Sequence, residues 1–166
     1  MAVRLNHTIV TARDRDASAT FLTEVLGLSA PLSFGPFAVV QIGDTSLDFM
    51  ESDGEIVSQH YAFLVSEQEF DEIFGRIRER GLPYWADPYR QKRGEINGWD
   101  DGRGVYFDDP NGHLLEIITR PYGSGGTKAS KPHPLVASVV TTDSDGETGG
   151  GEKAGGGKLA GAERPR

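Results

Sequence analysis

One pattern occurs twice along the chain, and it restricts the fold more than any other feature. A histidine opens an extended apolar segment (His7 within Leu5–Thr11, His60 within Gln59–Val65). An amphipathic stretch follows, a glycine stops it (Gly27, Gly81), and further extended segments complete the unit. The first unit covers about residues 4–51 and the second about 58–121. In the first, Asp14 or Asp16 can cap a helix running to about Leu26, with Ala17, Phe21, Val25 and Leu28 at helical spacing. In the second, Phe70, Ile73, Phe74 and Ile77 line one side of a helix from about Glu67 to Arg80. A strand–helix–strands unit leaves one face of its sheet bare, and a second copy lets both faces be buried or shared. The expected class is α+β.

The end of the second unit carries the residue that fits worst. Val105 to Phe107 is β-branched and aromatic, Asp109-Pro110-Asn111-Gly112 supplies a tight turn, and Leu114 to Thr119 resumes an extended pattern. Glu116 lies between Leu115 and Ile117, and period-2 alternation sets it on the face of Leu114 and Ile118. An ionised carboxylate buried there costs several kcal/mol unless something positive meets it. Either that face is wet or a cation waits on it.

Composition bounds the partners. At 166 residues the chain allows one ordinary domain. Half of the 22 glycines lie from Gly123 onward, together with no aromatic residue. Such a segment cannot bury enough apolar surface to offset its ordering entropy, so residues 1–122 are expected to fold and 123–166 to form a disordered tail. The net charge is −8, and the excess acid lies in the expected folded part. That balance repels phosphate backbones and anionic lipid, which argues against nucleic acid and membrane as partners. No apolar run approaches the roughly 18 residues of a membrane span and no signal peptide is evident, so a soluble cytoplasmic protein is expected. Without cysteine there is no thiolate nucleophile, thiolate metal site or disulfide.

Register within the repeat turns scattered residues into a site. Each unit has a histidine in its first strand, His7 and His60. Each also has an acid inside an apolar triplet of its last strand, Leu47-Asp48-Phe49 and Leu115-Glu116-Ile117. Equivalent positions of two pseudo-symmetric units can converge on the axis between them. Neutral imidazoles and carboxylates suit one divalent ion, Fe, Mn, Zn, Ni or Co, with positions left for water or substrate. The candidate metal ligands are therefore His7, Asp48, His60 and Glu116. His113 beside the Asn111-Gly112 turn is expected at the surface, and His133 falls in the expected tail and outside the site.

The two His-bearing strands, the paired βαβββ units and the ending Tyr106-Phe-Asp-Asp-Pro-Asn-Gly-His-Leu-Leu-Glu116 resemble the vicinal oxygen chelate superfamily. That superfamily includes glyoxalase I, extradiol ring-cleaving dioxygenases, fosfomycin-resistance thiol transferases and bleomycin-resistance proteins. The resemblance implies a cupped eight-stranded mixed sheet built from both units, often completed by a homodimer. It also implies a metal held by His7, His60 and Glu116 that chelates two oxygens of a small-molecule substrate or enolate as a Lewis acid.

Several subfamilies stay open. Asp48 falls where glyoxalase I has a glutamate ligand that also moves protons, which favours lyase or isomerase chemistry. A His-His-Glu triad with Tyr106 on the preceding strand is similar to the ring-cleaving dioxygenases. Leu5-Asn-His7, His60-Tyr-Ala-Phe63 and Arg90-Gln-Lys-Arg-Gly-Glu95 are similar to the fosfomycin-resistance enzymes, yet Ile9 and Gly125 stand where those carry a threonine and an arginine. A metal-free, bleomycin-resistance-like binder that sequesters a toxin is the rival of a different class. The candidate catalytic residues are Asp48, Tyr106 and Glu116. The long polar loop Pro88–Arg103 is expected to act as a substrate-binding lid through Arg90, Lys92, Arg93 and Trp99.

Overall fold

A computed structural model describes residues 3–134. Eight strands and two helices alternate as the repeat requires: β1 (His7–Ala12), α1 (Arg15–Leu26), β2 (Leu32–Phe34), β3 (Phe37–Ile42), β4 (Thr45–Glu51), then β5 (His60–Leu64), α2 (Glu67–Glu79), β6 (Tyr84–Trp85), β7 (Gly104–Asp108) and β8 (Leu114–Ile118). They form two four-stranded mixed sheets of equivalent order, β1-β4-β3-β2 and β5-β8-β7-β6. In each sheet the His-bearing strand runs parallel to the acid-bearing strand, which pairs antiparallel with the one before it.

The helices start and stop where local chemistry dictates. The Asp14 carboxylate, rather than Asp16, accepts from Ala17 N at 2.8 Å and caps α1, a bond worth about 1 kcal/mol. Gly27 ends α1 in the left-handed region (φ 73°). Ser66 and Glu69 form a reciprocal capping box on α2. Each helix lays its apolar side on the core: Ala19, Leu22 and Val25 from α1, Phe70, Ile73 and Ile77 from α2. Alternation in the strands adds Val10, Ala12, Leu47 and Phe49 from the first unit and Val105, Phe107, Leu115 and Ile117 from the second to the same cluster.

Polar contacts lock the two units. Arg76 of α2 donates through Nε to Val25 O at the C-terminus of α1 (3.2 Å), and Arg80 pairs with Glu24 at 2.8 Å. The Asp109–Gly112 turn reaches across as well. Asn111 accepts from Arg13 N (2.9 Å) and donates to Ser18 Oγ (2.9 Å). His113, expected at the surface, is buried in the same joint. Its Nδ1 accepts from Gln59 N at 3.0 Å and its Nε2 donates to Thr11 O at 2.8 Å. Both ring nitrogens are thus satisfied by backbone.

The packed chain continues past the expected end at residue 122. Two adjacent acids hold it. Asp100 Oδ2 accepts from Gly123 N (2.8 Å), Asp100 Oδ1 from His133 N (3.3 Å), and Asp101 from Ser130 N at 3.0 Å. Asp100 N also donates to Lys131 O at 2.7 Å. Carboxylate acceptors for backbone N–H groups thus replace the apolar packing that the composition of this segment lacks. The part of the expected tail from 135 to 166 lies outside the described residues. No helix among the described residues is long and apolar enough to cross a membrane.

Candidate metal centre

Strand register decides what each candidate ligand faces. In the second sheet, Glu116 on β8 sits between Ala62 of β5 and Tyr106 of β7. His60, at the start of β5, lies opposite Leu114 and therefore on the same face as Glu116. Its Nδ1 lies 3.0 Å from Leu114 O, so Nδ1 carries the proton and Nε2 turns toward Glu116 Oε2 at 3.3 Å. Ligands of one divalent ion bound at about 2.0–2.2 Å stand roughly 3 Å apart, so this pair of donors has a chelating separation. The Nδ1–carbonyl bond is also the second contact that usually orients a ligating histidine.

Glu116 is completely buried. Tyr122 donates its hydroxyl to Oε2, and Oε1 has no hydrogen-bond partner among the described residues. A fully buried carboxylate oxygen without a donor is costly, and a cation removes that cost. Hydrogen bonding to Glu116, opposed by burial, raises the His60 imidazole above its ordinary range. His60 Nε2 and Glu116 Oε2 together offer two of the ligands that a divalent ion would need.

The hydroxyls above the carboxylate form a short chain. Tyr106 Oη and Tyr122 Oη are 3.1 Å apart. The Tyr122 proton is given to Glu116, so Tyr106 donates to Tyr122. Burial first, then the Tyr122 contact, pushes the Tyr106 hydroxyl well above the usual phenol range. Burial and the bond to Glu116 do the same to Tyr122. Both stay protonated donors at neutral pH.

These groups form one wall of a pocket of about 320 Å³, lined by His60, Asp87, Pro88, Tyr89, Trp99, Tyr106, Tyr122, His133 and Pro134. Trp99 lines it as expected, but the cations of the same loop turn elsewhere. Arg90 pairs with Asp108 at 2.6 Å and lies over the Trp85 ring, and neither Lys92 nor Arg93 reaches the lining. The reason is Asp87, whose carboxylate gathers the N–H groups of Tyr89, Gln91 and Lys92 and coils the loop so that Asp87–Tyr89 face inward.

His133, set aside with the tail, is buried here instead. Its ring stacks on Tyr122 (centroids 3.7 Å apart) and meets Trp99 edge-on at 4.8 Å. Burial lowers its pKa. No pattern around His133 signals this role, because its neighbours are glycine, serine, lysine and proline. Asp100, which fastens it, adopts φ 54°, an αL conformation uncommon for a non-glycine residue.

The other two candidates occupy an equivalent place in the first sheet. His7 lies opposite Ser46, and Asp48 lies between Ile9 and Val39. They line a different pocket with Asn6, Ile9, Phe34 and Phe37. His7 is exposed, and Asp48 Oδ1 accepts from Ser46 Oγ at 2.7 Å. Among the described residues no three His, Asp or Glu side chains stand close enough to hold one metal ion. The structure thus separates the four candidates into two pairs, His60 with Glu116 on the second sheet and His7 with Asp48 on the first.

Known proteins share this fold. The chain is 67% identical to the solved structure of oxidase ChaP-H1, with a TM-score of 0.73 over 74% of this chain and 100% of that one. It is 64% identical to oxidase ChaP-H2, with a TM-score of 0.74 over 76% of this chain and 100% of that one. It is also 30% identical to the glutathione transferase FosA of Serratia marcescens, over 86% of this chain and 99% of that protein. A family model described as glyoxalase/bleomycin resistance protein/dioxygenase superfamily matches residues 4–117, a span that covers the first repeat, most of the second and all four candidate ligands. The chain belongs to the glyoxalase/bleomycin resistance protein/dioxygenase superfamily, that is, to the vicinal oxygen chelate fold.

Proposed function

We infer that the protein is a divalent-metal-dependent enzyme that binds a small, oxygen-bearing aromatic molecule and oxidises it. The reading rests on one observation. Glu116 is sealed from solvent with Oε1 unpartnered, and it stands 3.3 Å from His60 Nε2 beside an aromatic-lined pocket. A metal bound there acts as a Lewis acid toward the oxygens of a chelating substrate. The rings of Tyr89, Trp99 and Tyr106 suit a planar aromatic body, and the Tyr106–Tyr122 hydroxyls offer protons to an oxygen on it. Identity of 67% with a protein named an oxidase favours oxidation over lyase or transferase chemistry.

The metal set is completed by a second copy of the chain. His7 shares an exposed face with Ile9, Leu32 and Phe34, and two of these side chains are more than two-thirds exposed (Leu32 69%, Phe34 74%). Apolar surface of that kind is usually covered in the working assembly. In a symmetric dimer, His7 of each copy meets His60 and Glu116 of the other. Iron is the ion best matched to a His-His-Glu triad with open positions.

A second reading is thiol transfer of the fosfomycin-resistance type, which the 30% identity to FosA over nearly its whole length favours. Two features weigh against it. Among the described residues no lysine or arginine lines the His60 pocket to meet an anionic phosphonate, and Ile9 places a hydrocarbon beside His7.

Metal analysis of protein purified without chelator, followed by oxygen-electrode assays with ferrous protein and polyhydroxylated aromatic compounds, tests the reading. About one metal per chain and substrate-dependent oxygen uptake are expected. Thiol addition to fosfomycin without oxygen uptake would transfer the assignment to the second reading. Ligand binding without any metal would leave only a sequestering protein.

A further inference from the structure

We propose that Tyr122 is a positioning residue of the metal centre, that His133 seats it, and that the strap 121–134 is therefore a working part of the site. The proposal rests on the metal-binding reading above and adds residues that neither repeat encodes.

An ionised carboxylate offers about four lone-pair positions. In Glu116 the protein fills them unevenly. Oε2 takes the Tyr122 hydroxyl and faces His60 Nε2, while Oε1 takes nothing. Tyr122 is thus the hydroxyl donor on Oε2, and together with His60 Nε2 it fixes the rotation of the carboxylate plane. Because the oxygen that Tyr122 holds is also the one that faces His60 Nε2, the hydroxyl aims Oε2 at the site and favours binding of a metal through that one oxygen. That leaves coordination positions open for substrate, which a two-oxygen mode would close.

A tyrosine beyond the last strand has no ladder to hold it, so its aim depends on tertiary contacts. Three are present. The His133 ring lies flat on Tyr122 at 3.7 Å with an interplanar angle of 26°. Trp99 backs His133 at 81°. The two oxygens of Asp100 fasten Gly123 N and His133 N, the backbone at either end of the strap. Asp100 is itself buried, and no other role in the site is evident for it. Tyr106 then donates to Tyr122 from below and completes the alignment. Outer contacts of this kind typically change metal affinity by about 10–100-fold when removed.

The test uses the full chain, with Co(II) as a spectroscopic probe and affinity read by competition with a chromophoric chelator. Tyr122→Phe keeps the ring and its stack and deletes only the donor. It is expected to weaken Co(II) binding by about 10-fold or more and to alter the visible ligand-field bands. His133→Ala is expected to weaken binding in the same direction, and His133→Phe, which restores a stacking ring, to recover most of it. Thermal melting of each metal-free variant separates a lost fold from a misaimed ligand, and His133→Phe carries the test should Tyr122→Phe fail to fold. Unchanged affinity and unchanged bands in Tyr122→Phe would overturn the proposal while the metal reading stands. A wild-type chain that takes up no Co(II) would remove both.

Discussion

Asp48 and Glu116 hold equivalent places in the two sheets and live in opposite environments. Each sits on the acid-bearing strand, two positions beyond the residue opposite its histidine. Asp48 is only partly buried and is served by the Ser46 hydroxyl, whereas Glu116 is sealed between Tyr106 and Tyr122. Burial therefore costs Glu116, with one oxygen unpartnered among the described residues, far more than it costs Asp48.

The first prediction follows from that difference. Glu116→Gln should abolish tight metal binding, because it removes the charge that balances the cation. The metal-free protein should melt no lower than wild type, because a buried ionised group is replaced by a neutral one of the same shape. Metal titration and thermal melting of the apo forms check both halves. A large loss of apo stability would show that the carboxylate is held by the fold itself rather than for a metal.

Asp48→Asn separates a three-ligand from a four-ligand centre. With His7, His60 and Glu116 as the set, the variant should retain metal affinity within a few-fold. A fall in turnover of about 100-fold with metal retained would make Asp48 the general base. Loss of the metal itself would make it a ligand.

Truncation measures what the strap contributes. Cutting after Pro134 gives the reference form, which keeps the strap's bonds to Asp100 and Asp101. Cutting after Tyr122 deletes the His133 stack and the strap's bonds to Asp100 and Asp101, and should destabilise by about 2 kcal/mol. Equal melting of the two truncated forms would show that the strap's contacts contribute nothing to stability.

How legible these features are in the sequence depends on whether periodicity carries them. His7, His60 and Glu116 repeat with the strands, so their faces follow from alternation, and the helices follow from Asp14, the apolar spacing of Phe70, Ile73, Phe74 and Ile77, and the glycine stops. The two edge strands β2 and β6 are three and two residues long, too short to alternate. His113 is hidden by a different cause: beside a turn motif it looks exposed, yet the turn is wedged between the units, at Thr11 and Gln59. The strap is least legible. Its attachment depends on Asp100 and Asp101 accepting from backbone N–H groups, and such bonds leave no mark on the side chains they fasten.

Acid should loosen α2 first. Arg103 pairs with Glu67 at 2.6 Å, bonds Asp71 at 2.5 Å, and lies 4.4 Å over the Phe70 ring. Hydrogen bonds, from Thr119 and Arg103 for Glu67 and from Arg103 for Asp71, hold both carboxyls below their ordinary range. A carboxyl whose folded pKa is depressed contributes stability above its unfolded value of about 4, and loses it as pH falls through the lower folded value. Wild type should therefore lose stability below about pH 4. Arg103→Ala, less stable at neutral pH, should show a shallower acid slope. Melting series at several pH values read the two slopes, and parallel slopes would mean that this cluster is not linked to folding.

The cross-chain site makes the most specific prediction. His7→Ala and Glu116→Ala should each be inactive alone. In a dimer formed from one chain of each kind, His7 of the Glu116→Ala chain faces His60 and Glu116 of the His7→Ala chain, and that site is intact. The other site carries both defects. After subunit exchange about half of the dimers are mixed and each has one good site of two, so about a quarter of wild-type activity should return. Metal uptake should rise in the same proportion, which distinguishes rebuilt sites from contamination by wild-type protein when the mixture is titrated against either variant alone. If the metal were held within single chains, no exchange could bring the two intact halves together. Mixing would then restore nothing.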